Sequence, residues 1–261
     1  MKKNNSVIRQ LLTLALAALL LLGLAPVLPA VASGGIAIAA GTAHPANTAY
    51  TSTESSRQTV ITNNYSGWAE EELIRALEQD LIPDSLKDPA VDYTQPVTRA
   101  EFAGIAVKTY ENIGKTAALP TIINPFSDTK EIDALKAYNT GLMVGVSETE
   151  FAPGVLLNRE QAATALTRVL KRATMPGWTF ATDADYPLTF ERPDPFTDDS
   201  SISDWAKDSV YFMVANGIIL GVGDNMFAPR AVTSDEQARG YATATREQAL
   251  IIALRMVENM N

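Results

Sequence analysis

Three arginines in this chain directly follow a helix-capping residue, in Thr98-Arg99-Ala100-Glu101, Asn158-Arg159-Glu160-Gln161 and Thr245-Arg246-Glu247-Gln248. The outer residues of each quartet have capping-box spacing: the cap side chain accepts from the backbone N–H three residues on, and the Glu or Gln accepts from the cap, for about 1 kcal/mol. An arginine at the first helical position sits badly with the positive end of the macrodipole, by roughly 0.3–1 kcal/mol when exposed. A guanidinium beside a helix N-terminus with free N–H groups nearby is nevertheless a receptor for a carboxylate, and it offers a two-pronged geometry that lysine lacks. For Arg99, Arg159 and Arg246 the residues alone leave two readings open: reversible anion binding, or a solvated or salt-bridging arginine between repeats.

Bond-making chemistry has few candidates. The only histidine is His44, in a low-complexity segment, and there is no cysteine, so the commonest acid–base and thiol chemistries are missing. A carboxylate pair for glycan hydrolysis stays open as an alternative because acids are plentiful, although most recurring acids stand at helix starts. Asp198-Asp199 and Asp183-x-Asp185 lack the spacing of a calcium loop. The expectation is a non-enzyme with no catalytic residue, no cofactor and no metal. The net charge of −9 becomes −12 without residues 1–32, which hold Lys2, Lys3, Arg9 and no acid. That balance argues against nucleic acid as a partner.

The elements that must position the arginines are readable from periodicity. Phe102, Ile105, Ala106, Thr109 and Tyr110 fall at i, i+3, i+4, i+7 and i+8; so do Ala162, Ala165, Leu166, Val169 and Leu170, and again Ala249, Ile252, Ala253, Met256 and Val257. Three equivalent apolar stripes are most economically buried against one another. Upstream of the third box, Phe196-x-Asp198 precedes a helix carrying Trp205, a stop at Gly217, and Gly221 and Phe227-Ala-Pro229. Upstream of the second come Phe126-x-Asp128, Gly141, Gly145 and Phe151-Ala-Pro153, without the tryptophan. The first unit keeps Trp68-Ala69 and has Asp80 where the others have glycine.

The arginines are 60 and 87 residues apart. The additional 27 residues divide into ten in the linker, six before the glycine turn and eleven between Phe-Ala-Pro and the third arginine, all loop or helix-end positions that tolerate insertion. A rival register puts Ser234-Asp-Glu-Gln237 at the uninserted distance, with Asp235 in the arginine's place. Thr245-Arg246 is preferred because only it leads into a full amphipathic helix.

VTRAEFA, the Phe-x-Asp start, the Trp-Ala helix and GIILGVGDNMFAP, with the boxed helix in three ordered copies, the Phe-x-Asp start and both glycines missing from the first and the tryptophan from the second, resemble the S-layer homology (SLH) domain of Gram-positive-type cell surfaces. The resemblance covers about residues 67–261. It implies a mainly α fold in which three repeats (67–115, 122–173 and 192–261) form a pseudo-threefold, three-pronged domain around a central three-helix bundle. It also implies non-covalent anchoring through an anionic, often pyruvylated, secondary cell-wall polysaccharide held in grooves between repeats. The ligand residues expected on this basis are Arg99, Arg159 and Arg246, Trp68 and Trp205 as faces for sugar rings, Asp128 and Asp198 as hydroxyl acceptors, and Gly145 and Gly221 for close backbone approach. An S-layer or surface protein-interaction module, with other surface-layer proteins as partners, is the alternative.

Residues 1–32 read as an export signal, with a basic start, an apolar core LLTLALAALLLLGLAPVL and a small-x-small site at Ala30-Val31-Ala32. The expectation is a secreted protein at the cell wall with no membrane partner after cleavage. Residues 33–66, rich in Ser, Thr and Ala, read as a flexible tether.

Overall fold

The computed structural model describes residues 64–238 and 241–260. The expected signal segment, its cleavage site, His44 and the tether up to residue 63 lie outside the described residues. Residues 64–66, assigned above to the tether, are tied into the fold: Tyr93 N–H donates to the Asn64 carbonyl at 2.7 Å, and Ser66 bonds Glu247.

The protein is mainly α-helical. Its helices are α1 (Glu70–Glu78), α2 (Arg99–Gly114), α3 (Ile132–Thr140), α4 (Arg159–Thr174), α5 (Lys207–Ala215), α6 (Ser234–Ala238) and α7 (Arg246–Met260). The long helices α2, α4 and α7 start at the three arginines, and all three capping boxes form as expected. Every residue of the three predicted stripes is buried. α2 packs against both α4 and α7.

The short helices take up a phase that the sequence does not advertise. Each packs on the long helix that precedes it in the chain: α3 on α2, and α5 on α4. The first, α1, has no predecessor and packs on the last, α7. An Arg75–Glu258 ion pair of 2.8 Å ties the same two helices together. The chain thus closes on itself through its first and last helices.

The segments just before the long helices close a second ring, of backbone hydrogen bonds. Arg99 N–H donates to the Val155 carbonyl (2.9 Å), Arg159 N–H to Ala242 (3.1 Å), and Arg246 N–H to Gln95 (2.9 Å). Each acceptor lies four residues before the next arginine in cyclic order. Pro96 bridges Thr245, Thr98 bridges Leu156, and Asn158 bridges Thr243.

The turns after the short helices share one backbone conformation. Gly141 and Gly217 are left-handed, with φ of 79° and 67°, and Asp80 holds the same conformation at φ 52°. Aspartate tolerates that region better than most residues with a Cβ. The rival cap near residue 234 is also real, since Glu236 N–H donates to Thr233 Oγ1 and Thr233 N–H to the Glu236 carboxylate. It opens only the five-residue α6, whereas Arg246 starts the long helix and joins the ring.

Candidate functional site

Free N–H groups were expected beside the arginines, and the structure corrects this. The N–H of each arginine is taken by the ring, and the next N–H is taken as well: Ala100 donates to Pro153, Glu160 to Pro229 and Glu247 to Tyr93, at 3.0–3.2 Å. The third N–H belongs to the capping box. Each helix start is already satisfied by the neighbouring unit, so any anion must be met by side chains.

Arg99 and Arg159 are used alike. Arg99 Nε donates to the Phe151 carbonyl (3.0 Å) and Nη2 to Val144 (2.8 Å), with the guanidinium 5.1 Å from the Phe151 ring centroid. Arg159 repeats this on Phe227 and Leu220, 4.9 Å from the Phe227 centroid. Both residues are under a tenth exposed. Burial pushes their pKa values down, opposed by the charges of Asp128 and Asp198 respectively. Arginine's intrinsic basicity keeps both charged.

Asp128 and Asp198 grip the Phe-Ala-Pro turns. Their carboxylates accept from Phe151 and Ala152 N–H (2.9 and 2.7 Å) and from Phe227 and Ala228 N–H (both 2.8 Å). They stabilise Ala152 and Ala228 in left-handed conformations, φ 58° and 55°. Gly145 and Gly221 are needed for internal packing. A Cβ on Gly145 would lie 2.4 Å from the Ser147 carbonyl oxygen, and one on Gly221 would lie 2.8 Å from that of Met226.

Trp68 and Trp205 are each 58% exposed and are positioned by a pair of residues that sequence reasoning passed over. The buried Glu160 carboxylate accepts from Ser203 N–H (2.8 Å) and Ser203 Oγ (3.0 Å), just ahead of Trp205. Glu247 accepts from Ser66 N–H (2.9 Å) and Oγ (2.8 Å), just ahead of Trp68. The first box has Ala100 at this position, and the second unit has no tryptophan to place. That covariation within the chain, Glu in the box with Ser two residues before Trp, was the available signal.

These parts converge on two grooves built to one plan. The first, about 220 Å³, is lined by Arg99, the Met143-Val144 turn, Leu157, the α4 face of Gln161, Thr164, Ala165 and Arg168, and Trp205. The second, about 350 Å³, is lined by Arg159, residues 219–222, the α7 face of Gln248, Ile251, Ile252 and Arg255, and Trp68. Arg168 and Arg255, each nine residues after the box arginine, are functional candidates that sequence reasoning missed; the recurrence at fixed spacing was there to be read. No carboxylate among the described residues lines either groove. Among the described residues, no carboxylate comes within 4.0 Å of Arg99, Arg159, Arg168 or Arg255.

The third position is different. Arg246 Nε and Nη2 both donate to Glu101 Oε1 (3.0 and 2.7 Å), and Nη1 to the Asp92 carbonyl. Burial pushes the Glu101 carboxyl up, but hydrogen bonds from Arg246 and Thr98 with the arginine's charge leave it below its ordinary range. Lys108, where the other helices have Arg168 and Arg255, pairs with Asp80 at 2.7 Å. Pro83 packs so closely on Gly104 that a Cβ there would lie 2.7 Å from it.

Residues 195–238 match the S-layer homology domain. The match begins one residue before Phe196, takes in Trp205, α5, the glycine turn and Phe227-Ala-Pro229, and ends with α6, ahead of Arg246. Exoglucanase XynX of Acetivibrio thermocellus is 29% identical over 199 residues, 74% of this chain and 16% of that protein. The Surface-layer 125 kDa protein of Lysinibacillus sphaericus is 29% identical over 130 residues, 49% of this chain and 9% of its own length. An Endoglucanase of Bacillus sp. (strain KSM-635) is 30% identical over 150 residues, 56% of this chain and 14% of that protein. The chain thus spans less than a fifth of these curated relatives. S-layer homology is a non-catalytic anchoring domain, and with the surface-layer relative it supports a secreted, cell-surface location and a cell-wall anchoring role. Among the described residues no helix is long and apolar enough to cross a membrane.

Proposed function

We propose that the chain anchors non-covalently to the cell wall by binding an anionic, pyruvylated secondary wall polysaccharide in its grooves, without catalysis. Three SLH-like units stand in a pseudo-threefold arrangement, and each groove draws its box arginine from one unit, its wall from the next and its tryptophan from the one after. The two grooves bind; the third position closes the ring. The observation that carries this reading is the pairing of Arg99 with Arg168, and of Arg159 with Arg255, in carboxylate-free grooves flanked by an exposed tryptophan.

Within each groove the outer arginine and the remaining N–H groups of the box arginine meet the acid, while the tryptophan takes a sugar face. Asp128, Asp198, Gly145 and Gly221 serve by holding the turns whose carbonyls orient Arg99 and Arg159. Arg246 holds the scaffold together. Two modest sites on one scaffold gain strength on a repeating polymer.

The test is co-sedimentation with wall polysaccharide stripped of protein and peptidoglycan. Saturable binding that disappears when the acidic groups are removed supports the proposal. Equal binding after their removal overturns the acidic recognition and leaves a glycan site that does not read charge, whereas self-association of the chain in place of glycan binding favours the alternative of a surface protein-interaction module. Turnover of wall material by the purified chain would revive the hydrolase alternative.

A further inference from the structure

The linker between the second and third units is longer than its counterpart and is built onto the first groove. Trp178 is fully buried, its Nε1 donates to Asp183 Oδ1 at 2.7 Å, and the same oxygen takes Lys171 Nζ at 2.8 Å. Arg172 Nη1 donates to the Trp178 carbonyl at 3.1 Å. The loop also seats on the turn after α3, where a Cβ on Gly141 would meet Phe180 Cβ at 3.4 Å and Trp178 Cζ3 at 3.5 Å. From this base Phe180 lays its ring against the Arg168 guanidinium, 4.7 Å from the centroid.

We infer that Phe180 is a positioning residue that holds Arg168 ready for an acidic ligand in the first groove. This rests on the anion-binding reading above and adds a residue and an inequality to it. Stacking on a ring fixes the plane of a guanidinium and leaves its in-plane N–H donors free, so the side chain is ordered before the ligand arrives. Among the described residues no carboxylate pairs with Arg168 within 4.0 Å; the charge of Asp183 acts on it from farther off, but that carboxylate is held by Lys171 and Trp178 and does not order the guanidinium. Arg255, at the matching place in the second groove, has no aromatic partner among the described residues. The first groove is therefore the better organised anion site.

The test follows arginine Nε–H resonances during titration of the chain, and of its Phe180→Leu and Phe180→Tyr variants, with a soluble pyruvylated hexoside. Phe180→Leu is expected to weaken the affinity read at Arg168 by about three- to tenfold, the cost of ordering one long side chain, with that at Arg255 unchanged. Phe180→Tyr should keep the original affinity. Independently of any ligand, the Arg168 Nε–H should be ordered in the unsubstituted chain and averaged in Phe180→Leu. An equally ordered Arg168 in both proteins, or an unchanged affinity at Arg168, overturns the inference. If the unsubstituted chain ignores the probe at both arginines, the anchoring proposal falls, while loss of Arg168 order with the ring still supports its positioning.

Discussion

At Arg99 and Arg159 the guanidinium meets two backbone carbonyls and a phenylalanine face, whereas at Arg246 it meets a carboxylate. Carbonyls and a ring orient a cation without cancelling it; Glu101 cancels it. The same contrast recurs nine residues along, where Arg168 and Arg255 keep their charge for the groove and Lys108 gives its charge to Asp80. One scaffold position has been used two ways, and what separates them is the neighbouring acid: Gln161 and Gln248 complete the open boxes, and Glu101 completes the closed one.

The comparison is broken hardest at the residues that place the tryptophans. Glu160→Ala leaves Ser203 N–H and Oγ without their buried acceptor, and removes the partner of Arg230, which contacts both Glu160 and Ser203. The expected loss is about 2–4 kcal/mol, measured as a shift in the urea midpoint, because charge-assisted bonds to a buried carboxylate are lost. Glu247→Ala should behave alike through Ser66. Removal of Glu160 with a change below about 0.5 kcal/mol would show that the carboxylate does not hold the Trp205 segment.

Next in size is the wall affinity carried by the outer arginines. Arg168→Gln and Arg255→Gln should each weaken sedimentation with acidic wall polysaccharide by about tenfold, near 1.4 kcal/mol, with little change in the unfolding midpoint. Lys108→Gln, already committed to Asp80, should leave binding unchanged. A loss of affinity with Lys108→Gln equal to the other two would make the third position a groove like its neighbours.

Much of this was legible in the residues. Capping boxes and apolar stripes are local patterns of fixed period, so the long helices, their starts and their buried faces follow from sequence directly. Asp80 could be aligned with Gly217 because it follows Trp68 at the distance at which Gly217 follows Trp205, and it shares the left-handed backbone of Gly141 and Gly217. The partner of each short helix could not be read, because packing on the preceding long helix is a long-range choice that no local period encodes. The same limit hid the use of the helix-start N–H groups: whether Arg99 N–H is free depends on Val155, more than fifty residues away. A short acid and a glycine beside a turn suit a ligand role and a structural one alike, and the sequence does not show that Asp128 accepts from the Phe151 and Ala152 N–H groups or that a Cβ on Gly145 would meet the Ser147 carbonyl.

A smaller effect tests the closed position through pH. Glu101→Gln gives the first box the amide of the other two and should cost about 1 kcal/mol at neutral pH, the scale of a partly exposed ion pair. Because the folded-state pKa of Glu101 lies below its ordinary value, its contribution is complete above the ordinary glutamate range and is lost as pH falls through the folded value. The stability gap between the unsubstituted chain and Glu101→Gln should therefore be constant above the ordinary glutamate range and close as the pH falls below it. A gap that persists in acid would mean that Arg246 gains nothing from the Glu101 charge.

The smallest expected effect is the most discriminating. Asp80→Gly gives the first unit the residue of its two counterparts, relieving a left-handed non-glycine backbone while breaking the 2.7 Å pair with Lys108. Relief of about 1 kcal/mol is opposed by the lost exposed pair and by glycine's larger unfolded-state entropy, so stability should move by less than about 0.5 kcal/mol either way. Lys108 is then free, and adding Glu101→Gln frees Arg246 as well, so the doubly substituted chain has both cations of an open groove. It still has Pro83 wedged on Gly104 and no tryptophan from the second unit. Titration with soluble acidic glycan should accordingly still count two sites. A third site would mean that charge alone separates the open positions from the closed one, and that shape and the aromatic wall contribute little.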